Sequence, residues 1–329
     1  MPSQLAPVTQ ASLQEPVEEH LDAAFEELRR IVASDFHMVA EVNEHLLRLK
    51  GKMFRPTLLL LSAEAVGRVS EREETLAAVV ELIHVATLVH DDSVDHSVLR
   101  RGQPTVNAEF SHQVAVIMGD YLYSRAILEL VALDDPGPLK VLARVTNEMT
   151  VGEMRELEAF DRPQYSEGDY DALIRSKTAS LMSGACEVGS LVGAVEYREP
   201  LRRYGRFLGM AFQITDDVID YTESELVTGK PSCLDLREHK VTLPLIASLP
   251  CMDASERKLV ESLMSDPNPA DDLIAAVVDA VSANGGIDAA RERAAVLARQ
   301  AEEELESLPD SHAKETLRLC VTYSIERRR

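Results

Sequence analysis

Apolar residues recur at helical spacing along nearly the whole chain. Between Val17 and Arg48 they are interspersed with acids and bases in a pattern that predicts two amphipathic helices joined near Ser34. Long runs rich in Ala, Leu, Glu and Arg follow, and the alternating pattern typical of strands is hard to find. We therefore predict an all-α protein, in which residues 1–14 form a flexible N-terminal lead-in and residues 15–329 form a single domain.

One predicted helix is apolar on most sides and ends in acidic residues. The run from Leu76 to Val89 contains neither Gly nor Pro, which predicts a helix buried over most of its surface. Asp91, Asp92 and Asp95 follow directly. Because a helix advances by about 100° per residue, Asp91 and Asp95 share one face, one turn apart. Carboxylates aligned in this way repel each other, so the cluster favours a bound cation.

The residues around this first acidic cluster indicate which ligands it could bind. Carboxylate oxygens suit Mg²⁺, which keeps several waters and commonly binds through one or two carboxylates plus substrate phosphates. Arg100 and Arg101 follow closely, and their planar donors match diphosphate oxygens. Together these residues suggest a diphosphate site. For an isolated DDxxD pattern, a solvated helix end would be at least as good an interpretation.

The same pattern occurs a second time. In GMAFQITDDVIDY an apolar helical run again ends in acids with DDxxD spacing, namely Asp216, Asp217 and Asp220. Two such helices can face each other across a cavity and hold several metal ions between them. The recurrence of the whole pattern favours a metal site over two solvated helix ends.

Several cationic residues lie near predicted helix ends and breaks. Lys52 and Arg55 flank a predicted helix start, where free N–H groups favour anions. Taken alone, however, a K-x-x-R pattern is more typical of a solvated surface. Lys177 interrupts an apolar run, so its ammonium group either reaches solvent or faces a charged ligand. Lys230 and Lys240 flank a loop containing Gly and Pro, which could close over bound phosphate.

Composition narrows the classes of partner and the cellular setting. A formal net charge of −22 argues against nucleic acid as a partner, and it requires any diphosphate site to be locally positive. The four Cys residues are scattered without a CxxC pair, which indicates neither a zinc site nor a disulfide framework. With no signal-like N-terminus and no apolar run of about 20 residues, we expect a soluble, cytoplasmic protein.

The motifs, taken in order, resemble those of the trans-isoprenyl (polyprenyl) diphosphate synthases. The matching stretches lie between Leu49 and Ile246 and are GKxxRP, IHVATLVHDDSVD with RRG, MGDYLYSRA, KTASL, FQITDDVIDY and GKPSCLDLREHKVTLPLI. ELIHVATLVHDD and MGDYLYSRA look most like octaprenyl-type and other long-chain synthases. The resemblance implies the isoprenoid synthase fold, an all-α helical bundle around a deep central cavity, and usually a homodimer.

The resemblance also implies roles for individual residues. Mg²⁺ ions that hold an allylic diphosphate are expected on Asp91, Asp92, Asp95, Asp216, Asp217 and Asp220, with Arg100 contacting the same diphosphate. Isopentenyl diphosphate is expected on Lys52, Arg55, His84 and Arg101. The allylic diphosphate and its departing pyrophosphate are expected to be surrounded by Lys177, Thr178, Gln213, Lys230 and Lys240. The allylic cation would be attacked by the double bond of isopentenyl diphosphate, and pyrophosphate would take the released proton.

Product length is expected to depend on the helix that precedes Asp91. Ala86 and Thr87 are small, whereas short-chain members of the family often carry an aromatic plug there. A growing tail would pass them and run along Leu82 and Ile83 towards a floor that includes Met149 and Met154. This predicts a hexaprenyl to octaprenyl product (about C30 to C40), made from a farnesyl or geranylgeranyl primer, with transient membrane contact for product release.

Other functions fit parts of the pattern. A shorter-chain synthase, making geranylgeranyl or geranylfarnesyl diphosphate, is the nearest alternative. A terpene cyclase would share the fold and the first cluster, but cyclases generally replace the second cluster with an Asn/Ser/Glu-type triad and lack a site for isopentenyl diphosphate. A non-catalytic partner subunit would often have lost metal ligands, and here both clusters are complete.

Three positions depart from the family pattern. Cys233 and His239 stand where Gly is typical, and Lys50 replaces the first Gly of the usual GGK. Because Gly permits unusual backbone angles, we expect a stiffer loop around Lys230. The ligand and cation positions are all kept, so we expect altered kinetics rather than loss of activity.

Overall fold

The computed structural model describes residues 8–48, 51–100, 102–159, 165–223 and 233–327, most of which are α-helical. Contacts divide the chain into two compact units. Unit 1 comprises Met1–Thr146, Leu181–Gly205 and Glu304–Cys320; unit 2 comprises Asn147–Ser180, Arg206–Glu303 and Val321–Arg329. The predicted all-α class is confirmed, and the single domain predicted from residue 15 onwards stays a prediction.

Unit 1 contains most of the N-terminal elements. In chain order these are α1 (Gln10–Gln14), α2 (Glu18–Val32), α3 (His37–Arg48), α4 (Phe54–Val66), α5 (Glu71–Val94), strands β1 (Leu99–Arg100) and β2 (Gln103–Pro104), α6 (Val106–Glu109), α7 (His112–Ala132) and the start of α8 (Pro136–Ala159). The two short strands pair antiparallel. The break between α2 and α3 confirms the joint predicted near Ser34.

Helix α5 forms the centre of the unit 1 core. Ser70 and Glu73 form a capping box at its start, and the helix packs against α2, α4 and α7. Leu76–Ile83 is buried throughout, which confirms the prediction of a helix buried on most sides. The core therefore fixes the position of the acidic cluster at the C-terminal end of α5.

The segment before α2 is more ordered than its sequence indicated. Thr9 caps α1 by accepting the N–H of Ser12, and Leu13 is fully buried. The side-chain amides of Gln10 and Gln14 donate to the carbonyl oxygen of Lys52 at 2.6 and 2.8 Å. The predicted flexible lead-in is thus wrong for residues 9–14, because a buried leucine and two amide contacts hold them in place.

Unit 2 contains the middle of the chain and most of its C-terminal helices. Its elements include α9 (Glu167–Ile174), a π-helical turn (Arg175–Ala179), the end of α11 (Arg198–Thr222), α12 (Leu234–Arg237), α13 (Leu243–Ser248), α14 (Ala254–Ser265), α15 (Asp271–Ala283) and most of α16 (Gly286–Leu305). Between the π turn and α11 lies α10 (Ser180–Gly189), and the last helix is α17 (His312–Glu326). Apolar residues of α11 and of α13–α16 form the unit 2 core.

Among the described residues, one bent helix pair has the length and composition to span a membrane. No single helix there is long and apolar enough to cross a bilayer, whereas Asp271–Ala283 and Gly286–Leu305, bent by 60°, pass the length and composition criteria jointly.

Candidate active site

The first acidic cluster lies at the C-terminal end of α5 in unit 1. Asp95 follows the last turn, and its N–H donates to the carbonyl oxygen of Asp91 at 2.8 Å. Asp91 is half-buried and Asp95 is exposed. The helical geometry confirms that these two residues are one turn apart, where their carboxylates could share a cation.

Asp92 is instead paired within the protein. Its buried carboxylate shares the single N–H of Arg100 Nε between its two oxygens, at 2.9 and 2.8 Å, and accepts from Nη2 at 2.7 Å. Arg100 lies on β1, so the short hairpin delivers this guanidinium to the helix end. The pair neutralises one acid of the cluster, and the predicted roles of Asp92 towards metal and of Arg100 towards diphosphate stay predictions.

Two of the residues predicted to bind isopentenyl diphosphate meet in unit 1. Nη1 of Arg55, in the first turn of α4, lies 3.0 Å from Nε2 of His84 on α5. The side chain of Lys52, just before α4, is exposed, and its carbonyl oxygen is held by α1 as described above. The structure therefore brings Arg55 and His84 together and anchors the backbone that carries Lys52.

An apolar cavity of about 70 Å³ lies beside α5 in unit 1. From α5 its lining includes Leu82, Val85, Leu88 and Val89, with His84 and Asp92 at its polar side. Of the predicted tunnel residues only Leu82 lines this cavity. Ile83 and Ala86 are buried in packing elsewhere, and the hydroxyl of Thr87 donates to the carbonyl oxygen of His84 at 2.8 Å.

The predicted floor residues differ from each other in exposure. Met149 is buried, which is compatible with a floor, but Met154 is 59% exposed, which contradicts its predicted place in a buried one. The two methionines lie five positions apart on α8, so they face different sides of that helix. The tunnel along Ile83, Ala86 and Thr87 stays a prediction.

The second acidic cluster lies near the C-terminal end of α11 in unit 2. The carboxylate of Asp217 is buried. It accepts hydrogen bonds from the hydroxyl of Tyr170 and, at 2.9 Å, from the side-chain N–H of Gln213. Gln213 in turn accepts from the hydroxyl of Thr178 at 2.8 Å. Burial, with the neighbouring charges of Asp216 and Asp220, raises the pKa of Asp217 to about 7.

The third acid of this cluster caps a short helix. The two carboxylate oxygens of Asp220 accept the N–H groups of Leu234 at 3.0 Å and Asp235 at 3.1 Å, at the start of α12. Asp235 is itself half-buried, and burial followed by the charges of Asp217 and Asp220 raises its pKa well above the ordinary range. The structure thus adds a fourth carboxylate, Asp235, to the predicted cluster.

The first acid, Asp216, is paired with the end of the chain. Its Oδ1 lies 2.7 Å from Nη2 of Arg327, the residue that follows α17. Asp216 remains 43% exposed, so part of its carboxylate is accessible to a ligand.

The predicted diphosphate lysine Lys177 lies in the π-helical turn between α9 and α10. Such turns are frequent at functional sites. Its ammonium group pairs with Glu153 at 2.9 Å and with Glu156, both on α8. Lys177 is thus held by two protein carboxylates, and its predicted role towards a charged ligand stays a prediction.

Lys240 contributes a second ammonium group to the same pocket. It pairs with Glu238 at 2.9 Å and lies 3.9 Å from Glu156. Burial opposes its charge, but Glu238, then Glu156 and Asp235, outweigh burial and raise the pKa of Lys240. A cavity of about 220 Å³ is bounded by residues that include Lys177, Lys240, Asp217, Asp235, Gln213 and Tyr170.

The donor atoms fit a hard divalent cation, although no closed metal centre is formed. Within the described ranges, no three Asp, Glu, His or Cys side chains converge as a metal site. Mg²⁺ needs only one or two carboxylates, because it retains several waters. Asp216, Asp217 and Asp220 lie within two turns of α11, so a cation at this cluster would offset the repulsion between their carboxylates.

Some site residues were missed by sequence reasoning, and some predicted residues lie outside the described ranges. The missed residues are Glu153, Glu156, Tyr170, Asp235 and Arg327. Only the Glu153–Glu156 pair carried a signal, since an i, i+3 spacing places both side chains on one helix face. Arg101, Lys230 and the departure at Lys50 lie outside the described residues. The expectation that the two acidic clusters face one another across a cavity stays a prediction.

Comparison with known proteins assigns the family. A family model, polyprenyl synthetase, matches residues 36–281. The chain belongs to the polyprenyl synthetase family. Membership confirms the resemblance inferred from the motifs and the predicted class of enzyme, a prenyltransferase that makes polyprenyl diphosphates.

Curated relatives of this polyprenyl synthetase match over most of their length. An all-trans-nonaprenyl-diphosphate synthase (geranyl-diphosphate specific) from Rhodobacter capsulatus is 37% identical, over 95% of this chain and 96% of the relative. An octaprenyl diphosphate synthase from Haemophilus influenzae is 34% identical, over 89% and 90%. These names agree with the long-chain character inferred from the motifs.

Solved structures of the family share the fold. A decaprenyl diphosphate synthase from Rhodobacter capsulatus superposes with a TM-score of 0.92 at 32% identity, covering 98% of this chain and 100% of that one. A polyprenyl synthase from Caulobacter crescentus, solved with calcium and isoprenyl diphosphate, gives 0.93 at 29% identity, covering 99% and 100%. The predicted isoprenoid synthase fold is thereby confirmed.

Proposed function

We propose that this protein condenses isopentenyl diphosphate head-to-tail with an allylic diphosphate, farnesyl or geranylgeranyl, in a Mg²⁺-dependent reaction. The product is an all-trans polyprenyl diphosphate of hexaprenyl to octaprenyl length. The octaprenyl and nonaprenyl names of the relatives favour the long end of that range. The observation that carries the proposal is the unit 2 pocket, where Lys177 and Lys240 lie in one cavity with the buried acid Asp217.

The lysines are suited to stabilise a departing pyrophosphate. Breaking the allylic C–O bond separates charge, and preorganised cations at the leaving group are typically the largest contribution to catalysis. Lys177 and Lys240 are held in place by Glu153, Glu156 and Glu238, so they are ordered before substrate binds. Bound Mg²⁺ would supply further positive charge to the same oxygens.

The residues of unit 1 are suited to hold the second substrate. Nη1 of Arg55 donates to Nε2 of His84 at 3.0 Å, and Lys52 lies on the anchored turn before α4. A guanidinium matches two diphosphate oxygens at once, which fixes orientation as well as position. Fixing the orientation of isopentenyl diphosphate directs its double bond at the allylic cation and lowers the entropic cost of the reaction.

The proposed activity can be tested directly with purified protein. We expect Mg²⁺, isopentenyl diphosphate and farnesyl or geranylgeranyl diphosphate to give linear polyprenyl diphosphates by mass spectrometry, and chelation to abolish them. Asp91→Asn should reduce turnover by at least about a hundredfold. Asp22→Asn is the matched control, because Asp22 is an exposed acid on α2 outside both clusters and outside the matching motifs. Cyclic hydrocarbon products, or no product from either primer, would refute the proposal.

We propose a cytoplasmic location, a homodimeric state, and transient membrane contact during product release. Cell fractionation with and without the substrates would test the first and third of these. Exposed apolar side chains on α7 of unit 1 support the homodimer.

A further inference from the structure

A buried guanidinium contacts the first acid of the second cluster. Arg327 is only 7% exposed, and its Nη2 lies 2.7 Å from Oδ1 of Asp216. The same nitrogen donates to the carbonyl oxygen of Phe212 at 2.7 Å, and Cζ lies 3.4 Å from the centre of the Phe212 ring. Phe212 and Asp216 are one turn apart on α11, so Arg327 lies along a single stripe of that helix.

Burying the Arg327 guanidinium costs free energy, which indicates that its positive charge has a role. A buried cation is strongly unfavourable unless it is paired, and the ion pair and the aromatic face provide that pairing. Nε of Arg327 is nevertheless buried without a hydrogen-bond partner. An apolar side chain of similar length would pack here without that cost. The arrangement is therefore suited to controlling the charge of Asp216 rather than to packing alone.

Unit 1 contains a comparable pair. Arg100 neutralises Asp92 with short hydrogen bonds, again within a DDxxD cluster. In each cluster one acid is thus paired with an arginine.

We propose that Arg327 is a positioning residue that holds Asp216 and competes with a divalent cation for its carboxylate. Metal binding to the second cluster is consequently weak in the absence of a diphosphate. The negative charge of a diphosphate would offset the repulsion between the metal ion and the Arg327 guanidinium. This inference rests on the proposed function, since that function gives Asp216 a metal to bind. It adds a specific consequence, namely that removing Arg327 strengthens binding of metal alone.

Calorimetric titration of the full chain with Mn²⁺ or Mg²⁺, without any diphosphate, tests the proposal. We expect Arg327→Met and Arg327→Gln to bind metal roughly tenfold more tightly than wild type, because a competing cation is removed. Arg327→Lys keeps the charge and should stay within about threefold of wild type. Arg318→Met is the matched control: it removes one positive charge from α17, where Arg318 pairs with Glu306 and Glu315.

The dependence on Asp216 is tested by a double-mutant cycle. In an Asp216→Asn background, Arg327→Met should no longer change metal affinity. If Arg327 had only a structural role, Arg327→Met would change metal affinity equally with and without Asp216. Metal affinity of folded Arg327→Met or Arg327→Gln that is weaker than, or within about twofold of, wild type overturns the proposal. The prenyltransfer assay is separate: a wild type that makes no product refutes the proposed function, whereas an active wild type with unchanged affinity in the variants refutes only the role of Arg327.

Discussion

Cys233 and His239 both have a left-handed backbone, with a φ of 56° at each. These are the two described positions at which the family pattern typically has Gly. A side chain in this conformation costs roughly 1 kcal/mol, because Cβ crowds the following carbonyl oxygen. The two side chains are therefore strained where Gly would not be, and the predicted stiffness of the loop around Lys230, which lies outside the described residues, stays a prediction.

This strain predicts that Gly is more stable than Ala at position 239, the reverse of their order within a helix. His239→Gly should be more stable than His239→Ala by roughly 1 kcal/mol, since both lose the imidazole contact with the Asp266 carbonyl but only Gly relieves the backbone. Urea unfolding of the two variants measures the difference. At exposed Glu261, within helix α14, the order should reverse and Ala should be favoured. Equal stabilities of the two position 239 variants would contradict the strain.

Sequence reasoning identified the acids and cations of the site but not their partners. The two DDxxD clusters and the K-x-x-R pattern are contiguous, so spacing alone places their residues on common faces. Tyr170, in contrast, reaches Asp217 across 47 residues of sequence, and Arg327 reaches Asp216 from the end of the chain. Such pairs depend on tertiary packing, which no local pattern encodes.

At the scale of elements, the approach of α8 to the π-helical turn positions Lys177. Gly152 allows this approach: a Cβ there would lie 2.7 Å from the backbone nitrogen of Lys177 and 3.0 Å from its Cα. Glu153, the next residue, then pairs with the ammonium group. Periodicity predicted both helices, but not that one glycine sets the distance between them.

Gly152→Ala should therefore destabilise the protein by about 1–3 kcal/mol, because the clash is with backbone that cannot rotate away. It should also lower turnover by moving Lys177, and thermal unfolding together with a product assay would show both effects. Gly168→Ala on α9 provides the control. The nearest atom to a Cβ there is Oγ of Ser166 at 3.7 Å, so this substitution should be neutral or slightly stabilising. A Gly152→Ala variant as stable as Gly168→Ala would rule out close packing as the cause.

Helix α5 is the element from which product length was predicted. Thr87→Phe should shorten the product to farnesyl or geranylgeranyl length if the growing chain passes this face of the helix. Ala86→Phe should act similarly but also overpack the core, since Ala86 is buried. Leu88→Phe is the control, because Leu88 lies on the neighbouring face of α5 and lines the small apolar cavity, whereas Thr87 does not. An unchanged product ladder from Thr87→Phe would refute the predicted tunnel.

At the scale of the whole molecule, the net charge of −22 opposes an anionic substrate only when all charges are summed. Locally, Arg100 offsets Asp92, Arg327 offsets Asp216, and the acids of α8 order the lysines of the pocket. Composition predicted that the site must be locally positive. It could not predict that the cations would be held by carboxylates within each unit.

Helix α7 of unit 1 carries a stripe of exposed apolar side chains suited to subunit contact. Ile117, Leu128 and Val131 are 64%, 58% and 59% exposed, and they follow one face over about four turns. Exposed apolar residues that share one helix face are suited to an interface, and a two-fold dimer would bury the same face on both chains. The homodimer expected from the family thus has a specific candidate surface.

We predict that wild-type protein is a dimer by sedimentation velocity and that Ile117→Glu combined with Leu128→Glu shifts it to monomer. Each buried charge without a partner would cost several kcal/mol, which exceeds what a contact of this kind can offset. Val195→Glu, at a residue 82% exposed and outside α7, should leave the dimer intact. A monomeric wild type at micromolar concentration, or a double variant that stays dimeric, would show that this stripe serves another purpose.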